Sequence, residues 1–361
     1  MGGEVSIGTM LNLGHIIEGL TGYQTIASVE VVTDVVVDSR SAIPGSLFVA
    51  FPGECVDGHD FVLDAFDRGA VAALVERPVG TGGVVDVRQP LTYEMTTDLH
   101  LPVCIVVGNT LEALQQLATY WRARHSVRVI GITGSVGKTT TKELTHAVLS
   151  ARYRTLKSEG NLNNEIGLPL TLMHLTDAHE RVVLEMGMYV GGEISTLVNI
   201  ARPQVGVVTN IGPVHMERAG TIRAIADAKA ELVEALPPAP QGVAILNQDE
   251  HLVREMAGRT QARVFTYGLS EQADLWADHI EGVGLDGIRF SLHYQGETVR
   301  IRAPLLGRHS VHTALRAAAV GLVEGLGWEE IVSGLQGDTP QLRLVAVHGP
   351  NGSLLLDDTY N

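Results

Sequence analysis

The chain is predicted to be an α/β protein: a small N-terminal α/β domain followed by a P-loop-type central domain with a mostly parallel sheet. Three observations carry this. Short apolar, β-branched runs alternate with helical segments along most of the chain, the rhythm of parallel strands buried on both faces. One such run, Val127 to Ile132, leads into a glycine turn and a helix start in Gly131-Ile-Thr-Gly-Ser-Val-Gly-Lys-Thr-Thr-Thr141. With 361 residues, 45% hydrophobic and 19% charged, the chain is long enough for two or three cores.

In the first hundred residues the strands are Val31 to Val37, Ser46 to Phe51 and Ala72 to Glu76, with a helix over Asp60 to Arg68. Asp38-Ser-Arg40 and Asp57-Gly-His59 fall at the ends of apolar runs. Loops there present polar groups to ligands, although ordinary solvated turns look the same. Gly80 to His100 has no clear period and reads as a long surface loop. Thr110 is placed to cap a helix in which Leu111, Leu114, Leu117, Ala118 and Trp121 share one face, and a domain boundary is expected just before it. Further on, Arg181 to Leu184, Val205 to Thr209 and Val243 to Leu246 read as buried parallel strands. Helices at Lys138 to Ala151, Glu193 to Ala201 and Ala224 to Leu236 would cover them. Leu275 to Ile301 alternates like antiparallel strands appended to the sheet, and a helix over His312 to Glu324 follows the polar turn Gly307-Arg-His-Ser310.

The glycine turn is a candidate phosphate cradle, because backbone amides at such a turn and helix start converge on an anion. Lys138 would add a cation for the β- and γ-phosphates, and the Thr139 hydroxyl sits where a phosphate-bound magnesium takes an oxygen. The spacing is not the strict Walker pattern, since Thr133 and Ile132 stand where its first glycine would be. Glu185 ends the run Val182-Val-Leu184 and so emerges at the carboxyl end of a strand beside the cradle, where a magnesium ligand belongs. His215 is carried past the next strand by Asn210-Ile-Gly-Pro213 to the same rim. Lys229 faces partly inward on its helix, where an ammonium needs Asp227 or Glu231 as a partner, or conversion to an anion. Asn161-Leu-Asn-Asn164 is an amide cluster that can read sugar, peptide or phosphate oxygens, and can equally cap a helix or fill a turn. Lysine is scarce: only Lys138, Lys142, Lys157 and Lys229 occur, which draws attention to each.

A formal charge of -15 with no basic stripe argues against a nucleic-acid partner while leaving room for small anionic ligands. Cys55 and Cys104 are the only cysteines, which fits a reducing compartment and offers no metal-ligand spacing. The first basic residue is Arg40, so no charged region of a signal peptide precedes it, and no apolar run spans a bilayer. A monomeric cytoplasmic enzyme is expected.

These segments together resemble the Mur ligase family, the ATP-dependent amino-acid ligases of peptidoglycan precursor synthesis. The resemblance runs from Asp38-Ser-Arg40 and Phe48-Val-Ala-Phe-Pro-Gly53 to Asp357-Asp-Thr-Tyr-Asn361. Its most specific pieces are the cradle, where the family itself has threonine for the Walker glycine, and Glu185-Met-Gly187, joined by Asn210-Ile-Gly, His215 and Ala228-Lys-Ala-Glu-Leu232. Gly160-Asn-Leu-Asn-Asn-Glu-Ile-Gly-Leu-Pro169 is similar to the branch that adds D-alanyl-D-alanine to UDP-N-acetylmuramoyl-tripeptide.

The resemblance implies ATP, two magnesium ions and an acyl-phosphate route. By it, Thr133, Gly134, Ser135, Val136, Gly137, Lys138, Thr139 and Thr140 hold the phosphates, while Arg343 and Asp358 reach the γ-phosphate and the ribose. Thr139, Glu185, His215 and a carbamylated Lys229 would ligate magnesium. Ser39, Arg40 and His59 would lie near the UDP moiety, and Asn161, Asn163 and Asn164 would face the muramoyl-peptide. The chain departs from the family at Ser310 and Thr313, where asparagines near the adenine are usual.

The domains implied are 1–108 for the UDP-linked substrate, 109–336 for ATP, and 337–361 as the start of a truncated, Rossmann-like third domain. Leu354 to Leu356 would then be a strand without its sheet, and ligation by this chain alone weak or missing. Three other readings stay open: a ligase adding the third peptide residue, a folylpolyglutamate synthase, and a non-catalytic nucleotide- or UDP-substrate-binding protein.

Overall fold

The computed structural model describes residues 10–24, 30–53, 56–80, 82–92, 99–214, 220–337, 345–350 and 353–357. The chain divides into two compact units, Met1–Ser126 with Glu165–Ala178, and Val127–Asn164 with His179–Asn361. The division expected before residue 109 therefore lies in the structure after Ser126, because the helix beginning at Thr110 packs into the first unit.

The first unit is built on an all-parallel sheet in the order β1-β2-β3-β5-β4. Its strands are β1 (Val35–Val36), β2 (Leu47–Val49), β3 (Ala72–Val75), β4 (Gly83–Asp86) and β5 (Val103–Val106). Alternate residues Phe48, Ala73, Val75, Cys104 and Val106 share a core with Val62 and Ala65 of α2 (Val62–Asp67). Helices α1 (Leu13–Thr21), α3 (Thr110–Ala123) and, later in the chain, α5 (Gly167–Met173) form a second packed group, with α3 against β3 and α5 against β1.

Two expectations change here. Strand β4 lies within the stretch read as structureless: it is four residues long and buries only Val85, too short and too exposed to show a period, yet it pairs with β5 throughout. The cap of α3 is Asn109, whose Oδ1 accepts from Glu112 N at 2.9 Å, and not Thr110. Thr110 is buried inside the first turn, where its amide and hydroxyl both donate to Glu76 Oε1 at 3.0 and 3.2 Å.

In the second unit the sheet runs β14-β13-β12-β11-β10-β9-β6-β8-β7. Its strands are β6 (Arg128–Thr133), β7 (Thr155–Lys157), β8 (Arg181–Glu185), β9 (Val205–Val208), β10 (Val243–Asn247), β11 (Arg263–Gly268), β12 (Leu275–Gly282), β13 (Ile288–Tyr294) and β14 (Glu297–Ala303). All pairs from β7 to β12 are parallel, and β12-β13-β14 are antiparallel as expected. The helices are α4 (Lys138–Ser150), α6 (Glu193–Ala201), α7 (Ile222–Glu234), the short α8 (His251–Arg254), α9 (Val311–Val323) and α10 (Trp328–Gln336).

Ile130, Ile132, Val207 and Ile245 pack with Leu144 and Val148 of α4 and with the alanines of α9, while Val208, Ala244 and Leu246 pack with Ala226, Ala230 and Val233 of α7. Apolar residues on both faces are what make these strands read as unbroken hydrophobic runs. Strand β6 lies between β8 and β9; the chain runs from β6 to β7 and β8 on one side and then crosses to β9 on the other, so the carboxyl end of β6 is a topological switch point, where such sheets open a crevice. Beyond α10, β15 (Val345–His348) and β16 (Leu354–Asp357) pair antiparallel. The strand expected to lack a partner at Leu354 to Leu356 therefore has one.

Candidate nucleotide and ligation site

At the end of β6 the chain turns through Gly134 (φ 144°) and Gly137 (φ 81°) into α4. A Cβ on Gly134 would lie 1.8 Å from Thr209 Oγ1, so this glycine is required by contact as well as by conformation. The loop after β9 is tied to the turn. Ser135 N donates to Asn210 O and Val136 N to Asn210 Oδ1, both at 2.9 Å, Gly212 N donates to Ser135 Oγ at 2.8 Å, and Thr209 Oγ1 donates to Val136 O at 2.7 Å.

Two amides expected to face an anion are therefore spent within the protein. What remains for a phosphate is the first turn of α4, whose N–H groups have no intrahelical acceptor, together with Lys138, Thr139 and Thr140. Lys138 Nζ rests on the carbonyls of Gly134 and Ser135 at 2.9 and 3.4 Å. Thr133 is fully buried and its hydroxyl donates to Met186 O at 2.9 Å, so the Thr133 and Ser135 side chains shape the cradle from within.

Glu185 ends β8 and is only 2% exposed. Its Oε1 accepts from Asn163 Nδ2 at 2.9 Å, whereas its Oε2 is enclosed with no hydrogen-bond partner among the described residues. A buried carboxylate oxygen without a donor is costly, and a cation would relieve it. Asn163, expected to face substrate, thus holds Glu185. Its carbonyl also accepts from Gly187 N at 2.8 Å. The same loop begins at Gly160, whose carbonyl accepts from the fully buried Lys142 Nζ at 3.1 Å. Lys142 stands 3.2 Å from Glu143 Oε1, and Glu143 Oε2 takes Lys157 at 2.5 Å. Lysine scarcity was the one sequence signal for this network. Asn161 and Asn164 lie exposed on that loop.

Lys229, on α7, is 2% exposed. Neither expected carboxylate pairs with it: Asp227 is held by Arg259, and Glu231 accepts from Gly192 N at 2.7 Å and from Ser195 N and Oγ at 2.8 and 2.9 Å. Burial, and secondly the charge of Lys138, push its amine down to about 7. His215, Arg343 and Asp358 lie outside the described residues, as does Cys55. Among the described residues no group of three or more His, Cys, Asp or Glu is assembled for a metal.

Beside the cradle opens a cavity of about 430 Å³ lined by Val136, Gly137 and Thr140, by Asn247, Asp249 and Glu250 after β10, and by His309, Ser310, Thr313 and Arg316. Ser310 and Thr313, the two departures from the family pattern, thus face it together. Asn247, Asp249, Glu250 and Arg316 were not singled out from sequence; a lone arginine in Ala314-Leu-Arg-Ala-Ala-Ala-Val320 was the available sign.

A separate cavity of about 800 Å³ in the first unit is lined by Asp38, Ser39 and Arg40 with Phe48, Phe51, Val56 and Phe61. The Arg40 guanidinium bonds Asp38 at 2.6 Å and holds that carboxyl down at about 2. His59 is not on this wall. Its ring is 2% exposed, with Nδ1 bonded to Asp57 Oδ1 at 2.6 Å and Nε2 accepting from Glu76 N at 2.8 Å, so it braces the loop and has no ring nitrogen left for a ligand.

The description "Mur ligase family, catalytic domain" matches residues 31–122, and "Mur ligase middle domain" matches residues 132–321. A UDP-N-acetylmuramoyl-tripeptide–D-alanyl-D-alanine ligase of Synechocystis is 38% identical over 333 residues, covering 91% of this chain and 66% of that protein. Among solved structures, MurF from Acinetobacter baumannii aligns with a TM-score of 0.82 at 31% identity, over 98% of this chain and 74% of that one. MurF from Thermotoga maritima in complex with ADP aligns with a TM-score of 0.75 at 26% identity, over 91% and 71%. The chain spans about two-thirds of the length of the curated relatives it matches. A threonine-bearing cradle at the switch point of a parallel sheet, Glu185 beside it, and a middle-domain match over more than half the residues lead to one conclusion: the chain belongs to the Mur ligase family.

Proposed function

We propose that the protein serves as an ATP-dependent ligase that joins D-alanyl-D-alanine to UDP-N-acetylmuramoyl-tripeptide in the cytoplasm. The observation that carries this reading is Glu185, a buried carboxylate held by Asn163 with one oxygen unpartnered among the described residues, at the end of the strand next to the phosphate cradle. Relatives named for this reaction support it at 36 to 38% identity.

In this reading the terminal carboxylate of the tripeptide attacks the γ-phosphorus of ATP, giving an acyl phosphate and ADP. The dipeptide amine then attacks the acyl carbon; the peptide bond forms as inorganic phosphate leaves and the amine loses its proton. Negative charge shifts among phosphoryl oxygens, so the contribution of Lys138 and the first-turn amides of α4 is charge placed in advance. Thr139 Oγ1 and Glu185 Oε2 are hard oxygen donors of the kind magnesium takes, and the unpartnered Oε2 fits a cation. His215 and a carbamylated Lys229 would hold a second ion. When bound, magnesium neutralises phosphoryl charge. An amine lowered to about 7 is in substantial part neutral near neutral pH, and the neutral form is the one that adds carbon dioxide to give a carbamate and a proton. The cavity of the first unit, with aromatic walls and Arg40, suits the UDP moiety.

The test is phosphate release from ATP with the tripeptide and D-alanyl-D-alanine, measured for this chain alone and with the C-terminal third of a relative supplied. Release that requires all three substrates is expected. Release with a dipeptide precursor and a diamino acid instead would move the reading to the third-residue ligase. No release in either form, with UDP-substrate binding intact, would leave a binding protein.

A further inference from the structure

Arg316, on α9, is 5% exposed and sits in the wall of the 430 Å³ cavity beside the cradle. Its Nε donates to His312 O at 2.8 Å and its Nη1 to Thr141 Oγ1 at 3.0 Å. Nη1 would also lie 3.2 Å from a Cβ on Gly137, so the guanidinium packs directly behind the turn that opens α4. A guanidinium carries five donors in a planar fork, and among the described residues only these two acceptors meet it. Among the described residues no carboxylate forms an ion pair with it. Of the two acids lining the cavity, Asp249 is engaged by His312 Nε2 at 2.9 Å and by Leu269 N, and Glu250 accepts from Ile211 N at 3.1 Å. Tyr267 lies with its ring centroid 6.0 Å away. A buried, unpaired cation is expensive unless an anion arrives to meet it.

We propose that Arg316 contacts the phosphate chain of the bound nucleotide from the cavity side, supplying donors in place of the Ser135 and Val136 amides that the loop after β9 has taken. The inference rests on the ATP-binding reading. It makes Arg316 a phosphate-binding residue, and explains an arginine in an otherwise alanine-rich buried helix.

Calorimetric titration of the chain with adenosine, AMP and ADP, in the wild type and in Arg316→Met and Arg316→Lys, tests it. Arg316→Met is expected to weaken ADP binding by about tenfold or more, as for loss of a charge-assisted hydrogen bond, with adenosine affinity unchanged. Arg316→Lys should fall between, because a point charge replaces a fork. Melting of each unliganded variant separates recognition from folding; if Arg316→Met does not fold, the lysine variant carries the comparison. Equal losses for adenosine and ADP, or no loss for either, overturn the proposal. A wild type that binds no ADP overturns the ATP reading and this inference with it.

Discussion

Lys229 is buried on α7 with no carboxylate partner among the described residues, and that has a measurable consequence for stability. Below about pH 7 both the folded and the unfolded chain carry the proton, and the folded state bears the full cost of the buried charge. Between about 7 and the ordinary lysine value of 10.5, only the unfolded chain keeps the proton, so this contribution to stability improves as pH rises and then levels off. In metal-free buffer purged of carbon dioxide, Lys229→Met should be more stable than wild type below pH 7, by on the order of 5 kcal/mol at most, at about 1.4 kcal/mol per pKa unit. The gap should close toward pH 10. Urea midpoints across that range check it, and a gap independent of pH would count against a buried ammonium.

At the scale of elements, the cradle is a joint between β6, α4 and the loop after β9. Gly134 is its tightest point, at φ 144° and with Thr209 against its missing side chain. Gly134→Ala should therefore push Thr209 away, break the Thr209-to-Val136 bond, lower stability by about 1 to 3 kcal/mol and abolish ADP binding. Urea unfolding and ADP titration measure the two effects; intact ADP affinity would show that the turn accommodates a side chain. The strands and helices here were legible in sequence because burial on both faces leaves long apolar runs. Strand β4 was not, since an edge strand that buries one side chain leaves almost no pattern.

At the scale of the whole molecule, the two cavities lie in different compact units and share no lining residue. Arg40→Ala is accordingly expected to weaken binding of a UDP-linked substrate by about tenfold while leaving ADP affinity within twofold of wild type. Titration of both ligands reads this directly, and a matching loss for ADP would show that Arg40 acts on more than its own cavity. Among the described residues no helix is long and apolar enough to cross a membrane.

From sequence alone came the parallel sheet, the cradle, Glu185 at a strand end and the family, because each depends on local order: residue types at fixed spacing along one stretch of chain. The partners of the key groups came only from the fold. Sequence allowed Asn163 to read substrate, but folding brings it to Glu185; it offered Lys229 two neighbouring carboxylates, but α7 turns both toward other donors. His59 carried a polar signature and is a brace, while Arg316, which no sequence reading singled out, lines the cavity beside the cradle. Hydrogen-bond partners and burial join residues distant in the chain, and no periodicity within a segment encodes which distant group will arrive.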